Sequence, residues 1–127
     1  MKKIFCLVIL VLICGCSNNE VDKNGVSVLM IGTETVYSEI NNDNVYIVDV
    51  REKHEYNSGH IQNAHNIPLS EIDNINKKII PLDSKIIVYC QSGNRSNKAA
   101  EMLLEMGYTN VYDMGGINSW KYELIKN

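Results

Sequence analysis

Two hexapeptides dominate the pattern of this chain, VYIVDV at residues 45–50 and KIIVYC at residues 85–90. Both are apolar at nearly every position and do not alternate apolar with polar side chains. A strand of this kind is expected where both faces are covered, as in a parallel sheet packed between helices. The two segments therefore predict buried strands of an α/β domain.

Further strands and the helices between them are predicted from shorter patterns. Thr33 is expected to cap the first helix, Gly59 to end the second in a left-handed conformation, and Gly107 to end the third. Alternation of strands and helices predicts an α/β fold with a mostly parallel central sheet and helices on both faces. The predicted strands are 27–31, 45–50, 65–67, 85–90 and 110–114, and the predicted helices are 34–40, 52–58, 96–106 and a last one from about 116 through 120.

The first residues have the layout of a secretory signal peptide. Two lysines precede an unbroken apolar run at residues 4–14, which is too short for a bilayer core that needs about 20 apolar residues. Residues 13–16, ICGC, resemble the lipobox of bacterial lipoproteins, and this resemblance implies a signal peptide at residues 1–15 with a lipid on Cys16. An uncleaved anchor is the alternative. Either interpretation predicts an extracytoplasmic domain, held at a membrane of the bacterial cell envelope.

The remainder divides into a linker and one domain. Residues 16–26 comprise the lipidated cysteine and a segment with few apolar residues and many turn formers, which predicts a flexible spacer. Residues 27–127 suffice for a single small domain with one core. Removal of residues 1–15 takes away two lysines and moves the formal charge from -3 to -5. This acidic balance argues against nucleic acid as a partner.

Cysteine usage directs attention to Cys90. If the signal peptide is removed and Cys16 carries a lipid, Cys90 is the only free thiol of the mature sequence, and no disulfide can form within the domain. A lone thiol in an oxidising compartment is a liability unless it is buried or used. Cys90 also ends a predicted strand just before a helix, which is where ligands bind in parallel α/β sheets.

The loop after Cys90 has the features of an anion-binding turn. Gly93 permits a tight turn and the next helix starts at once, so successive N–H groups can point at one spot above the Cys90 sulfur. The first helical turn adds unpaired donors and the positive end of its dipole. Both effects predict a thiol pKa below the usual value of about 8.5. Arg95 either meets an anionic donor or pairs with a carboxylate elsewhere, and Ser96 is a possible helix cap.

Residues 49–68 and 88–120 resemble single-domain rhodaneses, and the resemblance extends over roughly residues 27–125. The matching blocks are Asp-Val-Arg, Glu-Tyr, Gly-His-Ile, Asn-Ile-Pro, the Cys-x-x-Gly-x-Arg-Ser loop and the Gly-Gly ahead of Trp. The resemblance implies an α/β domain whose loop cysteine becomes a persulfide and passes its outer sulfur to an acceptor. The matching nucleophile is Cys90, and the matching substrate-binding loop is Gln91, Ser92, Gly93, Asn94 and Arg95.

The implied reaction is a two-step displacement that needs no metal or organic cofactor. The Cys90 thiolate would take a sulfane sulfur from a small-molecule donor such as thiosulfate and pass it to cyanide or a thiol. The alternative is a non-catalytic module that binds a partner or senses sulfur or redox state. Thiol–disulfide exchange would require a protein thiol partner, because no second cysteine remains in the domain.

Other candidates receive weaker support from the sequence. Phosphatases that use a cysteine thiolate have five residues between Cys and Arg, whereas four separate Cys90 from Arg95. The three histidines lack the spacing of metal ligands, so no metal site is predicted. Structural roles are favoured for the remaining polar and aromatic candidates, which are Asp49, Arg51, Glu55, Tyr56, His60, Tyr108, Tyr112, Trp120 and Tyr122.

Overall fold

The computed structural model describes residue 25 and residues 27–75, 77 and 79–127. The predicted signal peptide at 1–15, the lipid site Cys16 and most of the linker at 16–26 lie outside the described residues. These assignments stay predictions. The structure addresses the domain predicted at residues 27–127.

Parallel strands form the centre of this domain. In chain order they are β1 (Leu29–Met30), β2 (Val45–Asp49), β3 (His65–Asn66), β4 (Lys85–Cys90) and β5 (Val111–Gly116). The sheet order is β1-β5-β4-β2-β3, and every pairing between these strands is parallel. The predicted α/β fold with a parallel central sheet is confirmed, and each predicted strand is present to within two residues at either end.

Helices cover both faces of the sheet. They are α1 (Thr33–Glu39), α2 (Lys53–Ser58) and α3 (Asn94–Glu105). Segments of 3-10 helix lie at Leu69–Asn74 and Ile117–Ser119. None of these described helices is long and apolar enough to cross a membrane. One buried cluster includes Val88 of β4 and Leu103 of α3, and a second includes Ile87 of β4 and Val36 of α1. Successive residues of β4 thus face opposite, covered sides, which explains its apolar sequence.

The starts of two helices differ from the prediction. Gly32 is the N-cap of α1, and Thr33 is its first helical residue. The helix predicted from Ser96 begins at Asn94, so Gly93 is the N-cap of α3 and Ser96 lies within its first turn. The expectation that Thr33 or Ser96 caps a helix is therefore wrong. The tight turn at Gly93 allows helical geometry to begin earlier than the apolar pattern indicated.

Four other connections show how tertiary contacts shape local structure. Gly107, at φ 100°, ends α3 with a left-handed residue as predicted. Gly59 has φ 157° and ψ 125°, so the left-handed conformation expected there is wrong; the chain continues directly into a bridge between His60 and Ile125. The helix predicted from 116 through 120 is only a 3-10 turn at Ile117–Ser119. The 3-10 segment Leu69–Asn74 is not predicted by any apolar periodicity.

A register shift changes the pairing of β4 with β5 near the carboxyl edge of the sheet. Val88 pairs with Asp113, but Tyr89 pairs with Gly115, so β5 carries one extra residue at this point. Such irregularities redirect side chains and are frequent next to functional sites. The shift fixes which residues of β5 lie beside the end of β4.

A glycine permits the close approach of β5 to the loop after β4. Gly116 pairs with Cys90, and a Cβ added to Gly116 would lie 2.5 Å from the carbonyl oxygen of Gln91. Real Cβ atoms do not come so close to a backbone oxygen. The second glycine of the Gly-Gly pair is therefore required for this packing.

Candidate active site

Cys90 lies where β4 ends and the loop to α3 begins. Its side chain belongs to the buried cluster on the α3 side of the sheet, and the residue is only 1% exposed. The Gly93 backbone N–H donates a hydrogen bond to the Cys90 sulfur, with an N···S distance of 3.0 Å. The nucleophile candidate is thus buried, and its sulfur faces the first turn of a helix.

The electrostatics around the Cys90 sulfur favour the thiolate. Burial raises the pKa of the thiol, but hydrogen bonds from the Ser96 hydroxyl and from the backbone N–H groups of Ser96, Gly93 and Ser92 outweigh it. The pKa of Cys90 is consequently lowered from its ordinary value. A ring of inward-facing amides at a helix N-terminus is a geometry that binds anions.

The backbone at Gly93 makes this ring possible. Gly93 has φ 112° and ψ -17°, a conformation that residues with a Cβ rarely adopt. Its carbonyl accepts the first helical hydrogen bond, from the N–H of Asn97, and a second bond from the Ser96 hydroxyl at 3.0 Å. The turn therefore connects directly to α3 while its own N–H faces the sulfur.

The side chains of Gln91, Ser92 and Asn94 either bind residues outside the loop or are exposed. Gln91 accepts a hydrogen bond from Arg51 at 3.3 Å through its side-chain oxygen and donates one to the Asn118 oxygen at 2.7 Å. The side chain of Gln91 is thereby engaged in supporting the loop. Ser92 and Asn94 are exposed at its rim.

Arg95 pairs with a carboxylate of another helix. Its two terminal nitrogens donate to the two carboxylate oxygens of Glu55 on α2, at 2.7 and 2.9 Å. This bidentate pair, together with a bond from the Glu52 N–H and despite partial burial, lowers the pKa of Glu55 from 4.5 to about 2. The charge of Cys90 also contributes to the raised pKa of Arg95. Of the two roles considered for Arg95, the structure shows the pairing with a carboxylate.

A buried ion pair between Asp49 and Arg51 supports the loop after β4. Arg51 donates to Asp49 through Nη2 at 2.7 Å, and the same nitrogen donates to the Gly59 carbonyl oxygen at 2.7 Å. The guanidinium lies 5.8 Å from the ring centre of Tyr89, and its Nη1 reaches Gln91. Buried charges are stable only when paired and hydrogen-bonded in this way. The structural interpretation of Asp49 and Arg51 is confirmed.

His60, Tyr56 and Tyr108 have packing roles. His60 stacks on Tyr56 with ring centres 3.7 Å apart, and the Tyr56 hydroxyl donates to the Ala64 carbonyl oxygen. Tyr108 is buried, and its hydroxyl donates to the Ile80 carbonyl oxygen. Within the described ranges, no group of three or more His, Cys, Asp or Glu residues is arranged to hold a metal ion.

Two residues around the Cys90 loop were missed by the sequence analysis. Asp113 is 2% exposed, and its carboxyl accepts a hydrogen bond from the Gly115 N–H at 2.8 Å and contacts the Ser96 hydroxyl. Its only sequence signal is an acidic residue inside an apolar strand. Asn118, which holds Gln91, has no distinguishing signal because its role depends on a contact 27 residues away.

A cavity in another part of the domain does not contain the thiol. It has a volume of about 710 Å³ and is bordered by α2, β3 and the segment around Ile79. Its lining includes none of the residues from Cys90 to Ser96. The cradle around Cys90 holds a nucleophile whose pKa is shifted toward its reactive, charged form, and it is therefore the better candidate site.

Comparison with known proteins agrees with this geometry. A family model described as a rhodanese-like domain matches residues 32–123. The chain belongs to this family. Thiosulfate sulfurtransferase PspE of Escherichia coli (strain K12) is 41% identical over 80 residues, which cover 62% of this chain and 77% of PspE.

Further relatives of this rhodanese-like chain include a protein described as uncharacterized. YqhL of Bacillus subtilis (strain 168), an uncharacterized protein, is 41% identical over 75 residues, which span 58% of this chain and 59% of YqhL. A solved structure of a rhodanese with anions from E. coli is 36% identical, with a TM-score of 0.61, and the match covers 65% of this chain and 99% of that one. The rhodanese fold is therefore shown, and sulfurtransferases are among the homologues.

Proposed function

We propose that this rhodanese-like domain is a sulfurtransferase that carries a sulfane sulfur on Cys90. The donor is thiosulfate or a similar small molecule, and the acceptor is cyanide or a thiol. The observation that carries this proposal is the set of donors around the buried Cys90 sulfur, from Ser92, Gly93 and Ser96, which lowers its pKa. The relation to PspE, which is named as a thiosulfate sulfurtransferase, supports the choice of donor.

Each step transfers one sulfur atom between nucleophiles. The Cys90 thiolate attacks the outer sulfur of thiosulfate, the bond between the two thiosulfate sulfurs breaks, and sulfite leaves with the electron pair. Cys90 is then a persulfide whose negative charge lies on the terminal sulfur, where backbone N–H groups stabilise it as an oxyanion hole stabilises oxygen. Cyanide attacks that sulfur, thiocyanate leaves, and the Cys90 thiolate is regenerated.

Steady turnover tests the proposal. Thiocyanate formation from thiosulfate and cyanide is expected for the wild-type chain and is expected to be lost in Cys90→Ser. Replacement of Cys6 by Ser is the matched control, since it removes a thiol from the predicted signal peptide and should leave turnover unchanged. A folded wild-type chain that forms no thiocyanate above the rate of Cys90→Ser would contradict catalysis and favour the alternative of a binding or sensing module.

We further propose that the protein is an extracytoplasmic lipoprotein of a bacterial cell envelope, with the lipid on Cys16. The support is the order of lysines, apolar run and ICGC at residues 13–16. A radiolabelled fatty acid should appear on the protein in a bacterial host and be lost in Cys16→Ala, whereas the control Cys14→Ala should retain it. Label that persists in Cys16→Ala would refute this assignment.

A further inference from the structure

Asp113 is a buried acidic residue for which the transfer reaction has so far no role. Its register partner on β4 is Val88, whose side chain shares the α3-side cluster with Cys90, so Asp113 is a diagonal neighbour of Cys90 on the same face of the sheet. No ion pair among the described residues includes Asp113. A carboxyl group is thus buried next to the candidate nucleophile without a compensating cation.

Few titratable or charged groups reach Asp113 from the elements packed around it. β4 brings the Cys90 thiol, and β1 pairs with Asp113 through an apolar methionine. α3 brings the Ser96 hydroxyl, while Arg95 in the same helical turn is directed to Glu55 of α2. Cys90 is the ionisable group that β4 brings to the same face of the sheet as Asp113.

The Ser96 hydroxyl links the two groups. Its oxygen lies 3.0 Å from the Gly93 carbonyl oxygen and 3.5 Å from that of Gly115, and both carbonyls can accept its proton. Gly93 in turn donates its N–H to the Cys90 sulfur and Gly115 donates its N–H to the Asp113 carboxyl, so the Ser96 hydroxyl lies between the two groups. Hydrogen bonding by Ser96 also favours the charged form of both Cys90 and Asp113. A hydroxyl has a single proton to donate and can accept in return. The charges on its neighbours therefore decide where the Ser96 proton points.

We propose that Asp113 is a positioning residue that controls, through the Ser96 hydroxyl, how well the cradle holds negative charge on Cys90. When Asp113 is protonated, its carboxyl donates to the Ser96 oxygen, and Ser96 donates its own proton to the sulfur. When Asp113 is ionised, it accepts the Ser96 proton, and the sulfur loses a donor while it meets a second negative charge. Protonation of Asp113 and ionisation of Cys90 thus favour each other.

The burial of Asp113 extends the range over which this arrangement holds. Burial raises the pKa of Asp113 from its ordinary value, against the opposing hydrogen bonds from Ser96 and Gly115. The carboxyl therefore keeps its proton to higher pH than an exposed aspartate does. For the sulfur transfer proposed above, on which this role rests, the anionic persulfide is held best while Asp113 is protonated.

Asp113→Asn is the direct test, because an amide has the shape of a protonated carboxyl. Its oxygen can still accept from the Gly115 N–H, and its NH₂ group can donate permanently to the Ser96 oxygen. The rate at which iodoacetamide alkylates Cys90 is measured against pH on the full chain, in the tryptic peptide of residues 86–95, so that other cysteines do not interfere. We expect the titration of Cys90 to move down by about one pKa unit, which is roughly tenfold faster alkylation below the midpoint.

Two further variants test whether the shift in the Cys90 titration is specific to Asp113 and whether it depends on Ser96. Asp83→Asn removes the same charge from an exposed aspartate and should cause no shift. In a Ser96→Ala background, Asp113→Asn should shift the titration of Cys90 less than it does in wild type. An undiminished shift in that background would assign the effect to direct charge repulsion and overturn the link through Ser96, and no shift in Asp113→Asn alone would overturn the whole inference.

The wild-type chain gives a second readout that does not depend on a variant folding. A coupled pair titrates over a wider range than one group, so the alkylation rate of Cys90 should rise by less than tenfold per pH unit below the midpoint. A single inflection with a full tenfold rise per unit would contradict the coupling. Alkylation needs no sulfur donor, so failure of this inference is distinguishable from failure of thiocyanate formation.

Discussion

The Cys90 sulfur is placed where a negative charge would be unstable without local donors. The residue is 1% exposed, and burial alone would keep the thiol protonated. The donors that reverse this effect come from residues Ser92, Gly93 and Ser96, all within six residues of the sulfur along the chain. At this scale the chemistry depends on one tight turn.

Ser96→Ala should raise the pKa of Cys90. The variant removes the hydroxyl donor and leaves the backbone N–H groups of Ser96, Gly93 and Ser92 in place. Loss of one full hydrogen bond to a charged acceptor corresponds to about 1.5–3 kcal/mol, or roughly one to two pKa units. This is the upper limit for Ser96→Ala because ionised Asp113 and the Gly93 carbonyl compete for the same proton. Alkylation of Cys90 against pH measures the change.

The matched control for this prediction is Ser92→Ala. Ser92 contributes its backbone N–H to Cys90, and alanine retains that group. The titration of Cys90 should therefore stay at its wild-type position. Equal shifts in the two variants would show that the Ser96 hydroxyl has no special contribution.

Among the elements, the joint between α2 and α3 holds the rim of the site. Glu55 of α2 and Arg95 of α3 form a bidentate pair 40 positions apart in the chain. The side chains are 22% and 34% exposed, so solvent screens much of their attraction. The pair nevertheless fixes the first turn of α3, on which the cradle is built.

Glu55→Gln should weaken the domain at neutral pH more than at acid pH. The folded pKa of Glu55, about 2, lies below the ordinary 4.5, so its contribution to stability is present above pH 4.5 and is lost as pH falls toward 2. The expected loss at pH 7 is below about 1 kcal/mol because the pair is partly exposed. Urea unfolding of both proteins at pH 7 and pH 3 checks it.

Arg95→Gln removes the other side chain of the same ion pair and completes a double-mutant cycle with Glu55→Gln. The double variant with Glu55→Gln should be no less stable than the less stable single variant, since each change breaks the same pair. Additive losses, or a difference between wild type and Glu55→Gln that grows as pH falls from 4.5, would contradict the assigned ion pair.

A second joint connects β5 to the loop after Cys90. Gly116→Ala places a Cβ 2.5 Å from the Gln91 oxygen and 2.8 Å from the Ser92 Cα, and both are backbone atoms that cannot rotate away. We expect the free energy of unfolding to fall by about 1–3 kcal/mol. We also expect the rate of thiocyanate formation to fall by more than this loss of stability would cause, because the loop itself is displaced. Chemical denaturation and the turnover assay measure the two effects.

Gly32→Ala is the comparison variant for this joint. Gly32 has φ -77°, and an added Cβ would meet nothing within 4 Å. Its turnover should therefore remain close to wild type, and its free energy of unfolding should fall by less than that of Gly116→Ala, the remaining loss being that alanine is a poorer N-cap than glycine. Wild-type turnover in Gly116→Ala would show that the close approach of β5 does not hold the loop.

The outcome at the element scale separates what the sequence could and could not predict. The hexapeptides at 45–50 and 85–90 predicted their strands closely, because coverage on both faces leaves a continuous apolar run. The position of Asp113 beside Cys90 could not be predicted, since it follows from the pairing of Asp113 with Val88, a register between β4 and β5 that has no local sequence signal. The early start of α3 at Asn94 likewise depends on the φ of Gly93 and not on apolar periodicity.

At the scale of the whole molecule, the candidate site depends on contacts between segments that are distant in the sequence. Asp49 and Arg51 connect the end of β2 to Gly59 and, through Gln91, to the loop after β4. Sequence analysis favoured structural roles for Asp49 and Arg51, but it did not predict that Arg51 binds Gln91. A hydrogen bond between residues 40 positions apart leaves no periodic signal, whereas the composition of a local turn does.

The sulfur content of Cys90 is the most direct test of the central claim, which is that the amide cradle keeps this thiol charged and holds one additional sulfur on it. The chain is exposed to thiosulfate, blocked with iodoacetamide and digested, and the peptide of residues 86–95 is weighed by mass spectrometry. The peptide is predicted to gain the mass of one sulfur atom and to lose it when cyanide is added before blocking. A folded chain whose peptide stays at the mass of the singly alkylated thiol would contradict the account.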